Sequence, residues 1–113
     1  MRKEELAQFI GGGDYYRHPL GIIFTSGVKY LADNTEAYWL IDAIASWQIK
    51  EKIKNIPFQI WELKVKDNKA VLTMKEDTDE PVIVKQVIPF TDFPFEEQKL
   101  YLIDRVLLLP SEY

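Results

Sequence analysis

Phe58-Gln59-Ile60-Trp61-Glu62-Leu63-Lys64-Val65-Lys66-Asp67-Asn68-Lys69-Ala70-Val71-Leu72-Thr73-Met74-Lys75 is the stretch that decides the fold. Phe58 to Lys66 alternates, with Trp61, Leu63 and Val65 on one face and Glu62, Lys64 and Lys66 on the other, the period of a strand with one face buried and one in water. Asp67-Asn68 is a two-residue turn of the kind that joins antiparallel strands. Folding about it sets Val65 opposite Ala70, Leu63 opposite Leu72 and Trp61 opposite Met74, all six on one face. Glu62 and Lys64 then meet Thr73 and Val71 on the other. A register shifted by one residue would carry polar side chains into the apolar set, so the pattern specifies this pairing.

Upstream of the hairpin, Ala37, Leu40, Ile41, Ile44 and Trp47 recur at helical spacing. With Asn34 or Thr35 as N-cap and Asn55 and Pro57 as the stop, they predict one long helix over about 35–52. Tyr38, Trp39, Ala43, Ala45 and Ile49 widen its apolar surface, so it must be covered on more than one side. Residues 2–10 read as a short helix closed by Gly11-Gly12-Gly13, and Leu20–Thr25 as a strand between Pro19 and Ser26-Gly27. Downstream, Pro81 precedes a third strand, 82–88, whose facing stays open because Val82, Val84 and Ile88 compete with Ile83 and Val87. Thr91–Pro94 reads as a turn, and Pro94–Gln98 as a single helical turn with Pro at its first position. Leu100–Ile103 and Val106–Leu109 flank Asp104-Arg105, which favours a second small hairpin over a helix across 96–108. The expectation is one α+β domain over residues 1–113. An antiparallel sheet of about four to six strands packs against one long central helix, with a short N-terminal helix.

A chain with 47% hydrophobic and 13% aromatic residues has the means to fold, which excludes a disordered polymer. Without cysteine it has no disulfide, thiolate nucleophile or thiolate metal site. Fourteen Lys and Arg stand against 18 Asp and Glu, a formal charge of −4. The one basic cluster, Lys50, Lys52 and Lys54, falls where a helix ends and meets the negative end of its dipole. Counted along the chain, these charges make a nucleic-acid partner an unfavoured expectation. No stretch approaches the ~20 apolar residues of a membrane helix, and Met1–Ile10 lacks the apolar run of a secretory signal, so a cytoplasmic location and no membrane partner are expected.

Tyr15-Tyr16-Arg17-His18-Pro19 is denser in functional side chains than any other stretch. Arg17 suits a phosphate or carboxylate, His18 titrates near neutrality, and the tyrosines can stack on a base or a partner. Asp42 lies mid-helix among apolar residues with Ser46 one turn on. It forms either a narrow wet stripe with Ser46 or a network with Arg17 or His18 from the preceding loop, since a carboxylate there must be paired or exposed. Binding candidates are therefore Tyr15, Tyr16, Arg17, His18, Asp42 and Ser46, and the catalytic candidates are His18, Arg17 and Asp42. No cofactor or metal is expected. The glycines at 11–13 lack the following Gly-Lys-Ser/Thr of a phosphate loop, and a single histidine makes a poor zinc site. Glu76–Glu80 lacks calcium-loop spacing, and Phe24-Thr25-Ser26-Gly27 lacks the first glycine of a nucleophile elbow.

Tyr15–His18, Gly27–Ala32, Ala37–Ser46, Phe58–Trp61, Thr91–Pro94 and Leu107–Tyr113 are distinctive together. They resemble an uncharacterised family of small bacterial proteins, some encoded on mobile elements. The resemblance spans nearly the whole chain, implies a single intact domain, and brings no activity. The leading expectation is a non-catalytic binding or interaction domain, with a protein partner or a second copy as a homodimer. It rests on 3 Trp, 6 Tyr and 6 Phe, more aromatic surface than so short a chain needs for its core. The alternative is a small phosphodiester-type hydrolase in which Arg17 stabilises charge, His18 moves the proton and Asp42 orients His18. A nucleic-acid-associated protein is the third, disfavoured by net charge.

Overall fold

The computed structural model describes residues 1–113. In chain order its regular elements are β1 (Tyr15–Arg17), β2 (Ile23–Thr25), α1 (Ser26–Thr35), α2 (Tyr38–Trp47), α3 (Glu51–Lys54), β3 (Phe58–Lys66), β4 (Lys69–Lys75), β5 (Val84–Ile88), β6 (Glu97–Ile103) and β7 (Val106–Leu108). Short 3-10 helices at Lys3–Gln8 and Pro110–Glu112 flank them. The β3–β4 register matches the alternation, with Val65 opposite Ala70, Leu63 opposite Leu72 and Trp61 opposite Met74. Asp67 (φ 53°) and Asn68 (φ 60°) both take the left-handed conformation that a tight hairpin turn requires and that short polar side chains tolerate.

The sheet is larger than the four to six antiparallel strands expected, and it is mixed. Seven strands run in the order β1-β2-β7-β6-β3-β4-β5, with β2 and β7 parallel and every other pair antiparallel. The strand that the sequence does not signal is β1, whose three residues are too few for a period of two to stand out.

No single long central helix exists. The expected helix over 35–52 is replaced by α2 and the one-turn α3, and a further helix that the sequence reading did not expect, α1, precedes them. The break is at Glu36, left-handed at φ 55°, where the N–H groups of Glu36 and Ala37 both return to the Ala32 carbonyl. Thr35 Oγ1 donates back to Leu31 O at 2.7 Å and Asn34 Nδ2 to Tyr30 O at 2.8 Å. These two residues therefore close α1 instead of opening a following helix, because a hydroxyl or amide can satisfy terminal carbonyls as well as terminal amides. Thr25 is the N-cap that starts α1, accepting from the Val28 N–H at 3.3 Å. The buried set Val28, Leu31, Ala32 and Thr35 is a helical stripe.

Register also fixes the facing of β5. Opposite Met74 and Leu72 lie Val84 and Gln86, so Val84, Gln86 and Ile88 share the helix-covered face while Val87 is left 66% exposed. The helical turn expected at Pro94–Gln98 is absent, because Glu97 and Gln98 pair with Lys64 and Leu63 and belong to β6. The C-terminal hairpin forms, turning through Asp104 (φ 48°) and Arg105 (φ 70°). The helices cover one face of the sheet, where Trp61, Leu63, Leu72, Met74 and Leu100 join Leu31, Ile41 and Ile44 in one core. No helix is long and apolar enough to cross a membrane.

Candidate functional site

Within α2, Leu40, Ile41, Ile44 and Ala45 turn inward, and the 3.6-residue period leaves Asp42 and Ser46 facing out. Asp42 stands on the rim of a cleft of about 700 Å³ between α2 and the segment that ends β5 and follows it. Trp39, Ser46, Gln86, Phe90 and Asp92 are among the other lining residues. Trp47 Nε1 donates to Gln86 Oε1 at 2.7 Å and so ties the two walls together. The Asp42 side chain is 68% exposed and Phe90 is 71% exposed, so the cleft presents a carboxylate and an aromatic ring to solvent.

The β1–β2 connection fixes Asp42 from outside. His18 accepts from the Gly21 N–H and its own N–H reaches Ile22 O at 2.8 Å, a tight turn in which Gly21 takes φ +93°. The turn directs the imidazole at α2, where Nε2 lies 2.8 Å from Asp42 Oδ1. The Leu20 N–H donates to Nδ1 at 3.0 Å. An amide donor at Nδ1 requires an unprotonated nitrogen there, so the neutral ring carries its proton on Nε2 and gives it to Asp42. Both nitrogens are committed, and the His18 side chain is 10% exposed. The structure thus brings His18 and Asp42 together as a buttressed carboxylate.

Arg17 does not join them. Paired opposite Ile23, it projects to the sheet face opposite that of Tyr16, and its guanidinium makes no hydrogen bond or ion pair. Tyr16 stacks on Phe24 with ring centroids 5.7 Å apart, and Lys29 Nζ lies 5.5 Å from the Tyr16 ring centre. Tyr15 is exposed on the edge strand. Ser46 Oγ donates to Ala43 O at 2.7 Å, leaving its oxygen as an acceptor on the cleft wall. In the last turns of α1, Lys29 and the Tyr38 hydroxyl both donate to Asp33, and these hydrogen bonds hold its carboxyl below the usual range. No three His, Asp or Glu side chains come together as metal ligands.

Two features escaped the sequence. Phe90 and Asp92 complete the cleft from a segment that reads only as a turn. Gln59, 1% exposed, exchanges hydrogen bonds with Gln48 at 2.9 and 3.0 Å, accepts from Trp61 Nε1 at 2.9 Å, and donates to Ile53 O and Ile56 O. That network locks the end of α2 to β3. Its signal, a Gln in the apolar run 37–49 and another two places before Trp61, is too sparse to pair by inspection.

Comparison with curated proteins and with solved structures finds no match for this chain. A family model described as a family of unknown function, DUF6876, matches residues 1–113. The motifs spread from Tyr15 to Tyr113 lie within that one match, and the chain belongs to this family of unknown function over its whole length.

Proposed function

We propose that this chain is a non-catalytic binding domain whose α2 cleft receives a cationic side chain, guanidinium or ammonium, from a partner polypeptide. The observation that carries this reading is the commitment of both His18 nitrogens, to Leu20 N–H and to Asp42. A general base needs a free nitrogen within reach of substrate, and His18 has none. What the arrangement presents instead is Asp42, with Oδ1 engaged and the carboxylate still open to solvent. Asp92 adds a second negative group to the lining, and Trp39 and Phe90 add rings on which a cation can rest. The hydrolase alternative also loses Arg17, which faces the other side of the sheet.

The test is chemical-shift mapping with an arginine-containing tripeptide amide as the probe. Shifts concentrated at Trp39, Asp42, Ser46 and Phe90, and lost in Asp42→Asn, support the reading. Shifts scattered over the surface, or unchanged in Asp42→Asn, overturn it. Light scattering on the same sample identifies a second copy as the partner.

A further inference from the structure

The face of the sheet that the helices do not cover is strongly basic, although the chain is not. Strand register places Lys64 and Lys66 of β3, Lys69 and Lys75 of β4, Lys85 of β5 and Lys99 of β6 on it, with Glu62 and Glu97. With Arg17 of β1, which the register puts on the same face, six lysines and one arginine against two glutamates make a formal +5, so the rest of a chain at −4 carries −9. All six lysines but the half-buried Lys75 are exposed, and only Lys64 has an ion-pair partner, Glu62 at 3.8 Å. Ile60, Glu62, Thr73, Lys75 and Lys99 line a shallow groove across the middle of this face. Beside it, Tyr113 lies over Phe58 and Tyr101, with ring centroids 5.6 and 5.7 Å away, and is itself 75% exposed.

We infer that this face binds single-stranded nucleic acid, with phosphates on the lysines and bases stacked on the Phe58, Tyr101 and Tyr113 rings. Lysines alone would suit any polyanion. The aromatic cluster next to Lys99 and Lys75 selects a strand whose bases are free to stack, which a duplex does not offer and an acidic polypeptide does not need. A second copy of the chain is a poor occupant, because two such faces repel. Counting charge along the sequence conceals the face: strand alternation sends the lysines one way while the acids gather in loops and helices. Four of those acids, Glu76, Asp77, Asp79 and Glu80, lie in the β4–β5 loop, whose Thr78 lines the same groove. No ion pair ties them to the lysines, so they oppose an incoming phosphate without occupying its site.

The experiment is fluorescence anisotropy with a labelled oligothymidylate of roughly 15 nucleotides, the upper footprint of one single-strand-binding module. Affinity is expected to fall with salt at a log–log slope of about −2 to −4, for three to five lysines on a single strand. Lys75→Glu with Lys99→Glu should weaken binding at least about tenfold, and Tyr113→Ala, an exposed position, about fivefold or more. Neutralising Glu76, Asp77, Asp79 and Glu80 together should tighten it. Circular dichroism of each variant separates lost binding from lost folding. No anisotropy change at low salt, or binding indifferent to the lysine reversal, overturns the inference. So does equal binding of poly-glutamate with no effect of Tyr113→Ala, which would make the face an acidic-protein surface.

Discussion

The two faces of the sheet use the same strands for opposite purposes. Along β3, Gln59, Trp61 and Leu63 go under the helices, and Phe58, Ile60, Glu62 and Lys64 go to the other side. The covered face is apolar, with the Gln48–Gln59–Trp61 network and the Trp47–Gln86 hydrogen bond as its polar ties; the open face is half-exposed and cationic. Stability therefore belongs to one face, and the other is free to carry charge without cost to the fold. The two proposed binding surfaces lie where the layers end or stop, at the α2 rim and on the uncovered strands.

That contrast has a definite order of effects. Leu72→Ala, at a fully buried core site, should cost about 3–5 kcal/mol in urea unfolding, the range for a core leucine that leaves a cavity. Gln59→Leu comes next at about 2–4 kcal/mol, because Gln48 and the Trp61 indole N–H keep their buried positions and lose their partner. If Gln59→Leu is neutral, the network is dispensable and the covered face is held by apolar contact alone. His18→Ala should cost about 1–2 kcal/mol by freeing the Leu20 N–H and loosening the β1–β2 turn, while leaving oligothymidylate binding unchanged. Lys85→Ser on the open face should change stability by less than about 0.5 kcal/mol. A larger loss there would erase the division between the faces.

The smallest effect is a pH dependence. Tyr30 Oη donates to Glu5 Oε2 at 2.7 Å, joining the N-terminal 3-10 helix to α1. This hydrogen bond draws the Glu5 carboxyl below its ordinary range and pushes the Tyr30 hydroxyl above its own. A depressed carboxyl contributes stability that is present above its unfolded pKa and lost as pH falls through the folded one. A raised phenol contributes below its unfolded pKa and loses it as pH rises through the folded value. Tyr30→Phe should therefore flatten both the acid and the alkaline limbs slightly in thermal unfolding, with no change near neutrality in their shape. Limbs identical to those of the parent would show that the contact does not persist in solution.

How much of this the sequence disclosed depended on how local each signal was. The Phe58–Lys75 hairpin was legible because alternation, turn chemistry and the penalty for a register slip all agreed within eighteen neighbouring residues. The long helix was misread because Asn34 and Thr35 suit either end of a helix, and only the left-handed Glu36 decides which. The parallel β2–β7 pair joins residues more than eighty positions apart through backbone bonds that leave no side-chain pattern. For the site, Asp42 stands out as a charge in an apolar run, and the loop that precedes it supplies His18 as a partner. Arg17, adjacent to His18, was grouped with it by sequence, yet neighbouring strand residues point to opposite faces. The basic face was hidden for the same reason.

The functional reading turns on the His18 ring. Nitrogen-15 correlation from its carbon-bound ring protons assigns the tautomer directly. A fixed proton on Nε2 with Nδ1 unprotonated is the expected spectrum, and Leu20→Pro, which removes the amide donor, should release the ring into a mixture of tautomers. A proton on Nδ1, or free exchange between tautomers in the unaltered chain, would mean that His18 keeps an available nitrogen. Asp42 would then be a catalytic partner to be reconsidered, and the cleft no longer a simple cation receptor.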